Sequence, residues 1–449
     1  MTTHAQYKTR PLDCWKRAKE LRLNHYQKIA NARNDGKLLV TGSGASFVSV
    51  LSGFGDDILF LCGEPYGASI SIDLTQHEIC SGVAESRGYA RDLCAYMRSY
   101  WGSMFLNKFY FGGGPFPKPD FCFSIHFCDS HAKWYQIVKE HFEIPFFGVD
   151  LPIGHHGDFS LKVEYVVNQL QDAIEGMEKF LGRKFDDEKF LKAVRNEFKV
   201  TSYWPKICAL NKNIPAPLDQ KTLFTLYIQA MLERNNPETV LFYKDLLAEV
   251  QDRVANGIAA LATERCRILD DSQPLWHFLK IYRLMESYGA VSVGSPYCFG
   301  LIGVWDETKD GQLVARKTPE ERGETLKSRE DGLRALVDWY LNREGGPSSM
   351  MGFYLPDVRN HLLPLVVKNW NVQGVLMHLN RGCEGTAFGQ MENRLALMKA
   401  GIPVVIYEGN MADKRDFDEA QTIDRIESFM ESLGLSKTLG TEHKLETHP

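Results

Sequence analysis

The chain has 449 residues, 44% hydrophobic and 24% charged, with a formal net charge of −5. That length exceeds one ordinary core and predicts two or three domains, with the composition of a water-soluble globular protein. The slight negative charge and the lack of a basic cluster leave no footprint for nucleic acid. The longest apolar runs, such as 372–379 and 402–407, are strand-length and cannot span a bilayer. The polar stretch 1–10 lacks the apolar core of a signal peptide, so a cytoplasmic protein is expected.

Residues 37–41 (KLLVT) and 58–62 (ILFLC) predict short buried strands flanking a helical stretch at 45–51. A second pair follows at 121–127 (FCFSIHF) and 145–150 (PFFGVD), separated by a helix at 132–140. Strands alternating with helices imply a parallel sheet with right-handed crossovers. From 158 to 264 the pattern is helical: Val163, Val166, Val167, Leu170, Ile174, Met177 and Leu181 keep the spacing of one buried helix face. The strand–helix rhythm then returns, with strands at 266–270, 291–294, 372–379 and 402–407 and helices at 275–288, 358–369, 384–400 and 418–433. A charged stretch, 306–331, reads as an exposed excursion. The expected fold is α/β, with two Rossmann-like parallel-sheet domains at 1–157 and 265–449 and a helical segment at 158–264 between them. The repeated rhythm is compatible with duplication of one half.

The ten cysteines are scattered, and no pair has CxxC spacing. In a reducing compartment they are not a disulfide framework, and any metal site must be assembled from distant parts of the chain. Ligands in open parallel sheets bind beyond the carboxyl ends of the strands. Cys128 and Cys383 both fall there, and Cys94, just upstream of the Cys128 strand, is a candidate third thiolate. Three converging thiolates suit a 4Fe–4S cluster with one iron open to another ligand. By pattern alone, three scattered cysteines are more often core residues.

Other signals are less specific. Gly42-Ser43-Gly44 follows the first strand like a dinucleotide loop, but Phe47 stands where a third glycine belongs. No GxxxxGK[ST] motif is present, so the chain is not expected to hydrolyse ATP. Cys122, His126, Cys128 and His131 invite a zinc reading. Alternate strand residues lie about 6.6–6.8 Å apart, which puts Cys122 and Cys128 too far apart for one tetrahedral ion. His155-His156 reads as a solvated turn. The aromatic stretch 100–121 predicts packing beneath a GGGPFPKP loop, with a wall for a flat ligand as a compatible role. Glu64, after a predicted strand end, is a candidate acid or base, with a capping role equally open. His126 and His131 are further candidate proton donors.

The combination of GEPY, GYARDLCAYMRSYWGS, FPKPDF, CDSHAKWYQ and LNRGCEGTAFGQMENRLALMKAGIPVVIYEGN resembles the 2-hydroxyacyl-CoA dehydratase and benzoyl-CoA reductase family. The resemblance runs from about Cys14 to Leu435. GYARDLCAYMRSYWGS and FPKPDF make the chain most similar to the larger subunit of the ATP-dependent reductases. It implies a 4Fe–4S cluster held by Cys94, Cys128 and Cys383, and a heterodimer with a smaller, homologous, cluster-bearing subunit. It also implies a two-subunit ATP-hydrolysing activator that passes electrons from ferredoxin, and an aryl-CoA substrate reduced to a cyclic dienoyl-CoA. Within the family the alternative is (R)-2-hydroxyacyl-CoA dehydration. The rivals outside it are a pure electron-transfer or scaffold subunit and a cofactor-free binding protein.

Overall fold

The computed structural model describes residues 6–154, 156–352 and 354–437. Two four-stranded parallel sheets organise the chain. The first contains β1 (Leu38–Gly42), β2 (Ile58–Cys62), β3 (Phe121–His126) and β4 (Phe146–Asp150), in the order β2-β1-β3-β4. The second contains β5 (Cys266–Asp270), β6 (Ala290–Gly294), β7 (Gly374–Asn380) and β8 (Val404–Gly409), in the order β8-β7-β5-β6. Counted within each sheet, the first reads second, first, third, fourth, and the second reads fourth, third, first, second. The two halves therefore share a strand–helix rhythm and a parallel sheet in which the first and third strands are neighbours, which places a switch point between those strands in each.

The strands form where apolar runs are buried on both faces, as parallel sheets under helices require. All five residues of β5 and all five of β6 are buried, and β3 is buried up to Ile125. Helices α1 (Gly63–Ile72), α2 (Leu74–Ser86) and α3 (Ala95–Phe105) lie between β2 and β3, and α4 (Asp129–Phe142) returns from β3 to β4.

The helical region begins with α5 (Phe159–Leu181), which buries six of the seven predicted core positions, Leu181 being half-buried. It lies so close to the first sheet that a Cβ on Gly176 would stand 2.8 Å from the Phe147 ring, which explains a glycine inside a helix. The long helix α6 (Asp187–Leu210) follows, and further helices lead to the second sheet.

Three predicted elements differ. The stretch 306–331 is in part ordered: Trp305–Glu307 and Leu313–Ala315 form an antiparallel hairpin. Ser328 and Asp331 then make a capping box that starts an unpredicted helix, α7 (Arg329–Gly345). This helix packs against α5 and α6, with Trp339 Nε1 donating to Thr201 Oγ1 at 2.9 Å. After α8 (Pro356–Asn369), the helix expected over 384–400 is broken into α9 (Glu384–Ala387) and α10 (Gln390–Lys399). Gly389 between them is left-handed (φ +81°), and a Cβ there would meet Pro356 at 2.4 Å. The helix expected over 275–288 begins as a 3-10 turn and becomes α-helical only at Lys280–Glu286. Among the described residues no helix is long and apolar enough to cross a membrane.

Candidate functional site

A cavity of about 320 Å³ lies where the carboxyl-terminal ends of the two sheets meet, and Cys94, Cys128 and Cys383 all line it. Six of the ten cysteines are fully buried, and only Cys14 and these three are partly exposed. The three share a local setting. Cys94 is the N-cap of α3, Cys128 of α4 and Cys383 of α9, and none of the thiols is consumed in a capping hydrogen bond. Cys128 and Cys383 moreover follow the third strand of their respective sheets, so they are topological equivalents.

The thiols feel one another. Burial pushes Cys94 up to about 12, and Cys383 and Cys128 push the same way, while the N–H groups of Met97 and Tyr96 oppose. Burial also raises Cys383, with Cys128 adding to the rise and Thr386 and Gln273 countering it. Three neighbouring thiols of this kind ionise together only beside compensating positive charge, which a bound soft metal supplies. Among the described residues no three of His, Cys, Asp and Glu come close enough to bind one metal ion. The thiols ring the cavity instead of meeting at a point.

Glu64 and His131 stand at the same wall. Glu64 lies in the first turn of α1, where its Oε2 accepts from Gly44 N at 2.7 Å and its Oε1 lies 2.7 Å from His131 Nε2. Burial alone would raise Glu64, but His131 and the Gly44 N–H together hold it below the ordinary carboxylate value. Burial alone would lower His131, yet Cys128 and Glu64 outweigh it and push the imidazole well above its usual range. The Gly42-Ser43-Gly44 turn thus presents an N–H to a carboxylate. Its second glycine leaves room for Met231, whose Cε would be 2.1 Å from a Cβ.

The remaining candidates lie elsewhere. His126 is half-exposed, its Nδ1 2.8 Å from Asp150 Oδ1 and its Nε2 3.7 Å from Asp129, and it does not line the cavity. Cys122 is buried with its thiol 3.8 Å from Tyr135 O, so the four-residue zinc set does not assemble. His155 lies outside the described residues. The aromatic stretch 100–121 packs beneath its loop, as in the stacking of Tyr66 on Phe109 at 5.1 Å, and none of it reaches the cavity.

The aromatic wall comes from residues that the sequence pattern does not single out: Tyr96, Phe127, Trp134, Tyr227, Tyr297 and Tyr354. Tyr297 follows β6 in a short helix capped by Ser295, so the strand-end rule that found Cys128 points to it as well. Tyr354 carries a left-handed backbone (φ +57°), a strained conformation for a bulky residue of the kind that gathers at functional sites. Gln273 and the buried Glu344 add to the polar lining, which also includes Lys133 and Arg381.

Behind Cys383, Arg359 is buried and donates through Nη1 to Thr386 O at 3.0 Å and through Nη2 to Asp271 Oδ2 at 3.2 Å. Asp271 also accepts from His378 N at 2.9 Å and Gln390 Nε2 at 2.7 Å. The cysteine-bearing turn is thereby bolted to the ends of β5 and β7.

Residues 67–433 match the family described as 2-hydroxyglutaryl-CoA dehydratase, D-component. The chain belongs to that family. It is 24% identical to the (R)-phenyllactyl-CoA dehydratase alpha subunit of Clostridium sporogenes, over 94% of this chain and 98% of the relative. It is 25% identical to the (R)-2-hydroxyisocaproyl-CoA dehydratase alpha subunit of Clostridioides difficile, covering 85% and 87%. A benzoyl-CoA reductase subunit of Thauera aromatica is 24% identical, covering 78% of each chain. These relatives are subunits of enzymes that act on CoA thioesters, and both branches of the family are represented among them.

Proposed function

We propose that this chain is the substrate-processing subunit of an iron–sulfur enzyme that acts on an aryl- or acyl-CoA thioester. The observation that carries this reading is the set of three N-cap thiols, Cys94, Cys128 and Cys383, around one cavity, none of them used to cap its helix. These residues would hold a 4Fe–4S cluster. When bound, such a cluster supplies low-potential, one-electron chemistry.

The chain's own residues supply the rest. The aromatic wall accommodates a planar acyl group and excludes water. His131 holds a proton at Nε2 against Glu64, within the cavity where a substrate carbon or oxygen would receive it. The partners are a smaller homologous subunit and a two-subunit activator that couples ATP hydrolysis to electron delivery from ferredoxin.

The leading activity is reductive dearomatisation of benzoyl-CoA or a close analogue, which consumes two electrons and two protons per cyclic diene. The reductase-like GYARDLCAYMRSYWGS and FPKPDF stretches and the aromatic lining support it. The second reading is (R)-2-hydroxyacyl-CoA dehydration, which loses water without net electron consumption. It is favoured by the dehydratase alpha subunit that aligns over 94% of the chain, against 78% for the reductase relative.

The test is anaerobic purification with the partner subunit, followed by iron and sulfide analysis. About four of each in this subunit, lost on Cys94→Ser, Cys128→Ser or Cys383→Ser, supports the cluster; metal-free protein sinks it. Electron stoichiometry with activator and each CoA thioester then separates reductase from dehydratase.

A further inference from the structure

We infer that Arg98 is a positioning residue: it clasps the two α/β halves together and so holds Cys94 at the same cavity as Cys383. This rests on the reading that those thiols bind one group, and it adds how chain segments almost 300 residues apart are kept in register.

Arg98 lies one turn beyond Cys94 in α3 and is completely buried. Its Nε donates to Leu93 O at 3.1 Å, the carbonyl immediately before Cys94. Its Nη1 donates to Glu85 Oε1 of α2 at 2.7 Å. Its Nη2 crosses to the other half and donates to Asp413 Oδ2, in the loop after β8, at 3.1 Å. Asp413 also accepts from Arg415, which turns back to Glu85 at 2.6 and 3.0 Å. Two cations and two anions thus close a ring across the junction.

The far side of that ring leads to Cys383. Asn410 Oδ1 accepts from Asp413 N at 3.2 Å, and a Cβ on Gly382, the neighbour of Cys383, would stand 2.5 Å from the same oxygen. Asn380 Oδ1 accepts from both Gly382 N at 3.0 Å and Met411 N at 3.2 Å. Any movement of the Asp413 loop is therefore passed to the turn that carries Cys383. From Leu93 to Gly382 the path is a continuous chain of hydrogen bonds and contacts with Arg98 at its centre.

Burial alone does not account for an arginine here, because a well-packed apolar side chain fills such a site without the desolvation cost of a charge. Arg98 spends its bonds instead on segments that lead to two cavity cysteines. The flanking pairs Lys414–Glu78 and Arg91–Asp416 join the same surfaces but are partly exposed, where ion pairs contribute little.

The experiment uses the metal-free full chain and dibromobimane, which fluoresces when it joins two thiols a few ångströms apart, with peptide mapping to assign the joined pair. Wild type should yield the Cys94–Cys383 adduct. Arg98→Met and Asp413→Asn should each slow its formation at least tenfold, the double variant no further than either single one, and Arg98→Lys should recover part of the rate. Circular dichroism and thermal melts identify variants that are folded, and Asp413→Asn tests the clasp if Arg98→Met is not. Unchanged adduct formation in the folded variants, or additive effects in the double, overturns the proposal. So does a wild type that forms no such adduct. Iron reconstitution of the same wild-type sample is measured separately, so failure of the clasp is distinguishable from failure of the cluster reading.

Discussion

His131 Nε2 lies 2.7 Å from Oε1 of Glu64, and the same imidazole neighbours the thiol of Cys128. A partly buried acid–base pair thus touches one of the three cavity cysteines. Glu64→Gln keeps an acceptor for Gly44 N but removes one of the two groups, Cys128 and Glu64, that push the imidazole above its usual range. Turnover should fall by about 10²–10⁴-fold in Glu64→Gln and in His131→Gln, the range for a lost general acid or base. Iron content should stay at the wild-type level. Full turnover in both variants would leave the pair with a structural role only.

Arg359 and Asp271 form a buried ion pair behind Cys383. Removing one partner leaves the other charged and without compensation, at a cost of about 3–5 kcal/mol. Arg359→Ala should therefore lower the urea midpoint sharply and speed alkylation of Cys383, because Thr386 O loses its donor. Arg359→Lys keeps the charge but not the fork, and an intermediate result is expected. Equal stability of the alanine variant and wild type would contradict this account.

Asp270 should give the fold a pH dependence. Burial raises its carboxyl from 3.8 to about 7, despite the hydrogen bond it accepts from Ser292 Oγ at 2.8 Å. Between those values the folded chain keeps a proton that the unfolded chain has lost, so stability falls as pH rises from about 4 to about 7. Above pH 7 the full cost remains, roughly 4 kcal/mol as an upper bound at 1.36 kcal/mol per pKa unit. Asp270→Asn should flatten that decline and raise the urea midpoint at pH 8 relative to wild type. An unchanged slope between pH 4 and 7 would show that Asp270 does not set it.

The buried cysteines provide the contrast to the cavity set. Cys122→Ala removes a core sulfur packed under α4 and should cost about 1 kcal/mol of stability. Anaerobically reconstituted iron should be unaffected, whereas any of the three cavity cysteines changed to serine abolishes it. Iron loss in Cys122→Ala with the fold intact would reopen the ligand assignment.

Much of this arrangement was legible along the chain. Eight strands are visible as mainly apolar runs, because a parallel strand covered on both faces buries most of its side chains. Cys128 and Cys383 could be picked out because chain direction alone places the residue after a parallel strand at the ligand-binding end of its sheet. Other features depend on contacts between residues far apart in sequence. Glu64 faces His131 and not solvent because β2 and β3, whose ends they follow, flank β1 in one sheet, and His126 turns outward because it pairs with Asp150 on β4. Cys94 joins the other thiols through Arg98 and Asp413, 315 positions apart. The aromatic wall draws on both halves and the helical region. Local pattern reports which face of an element is buried, whereas only the packing of one sheet end against the other decides which buried faces meet.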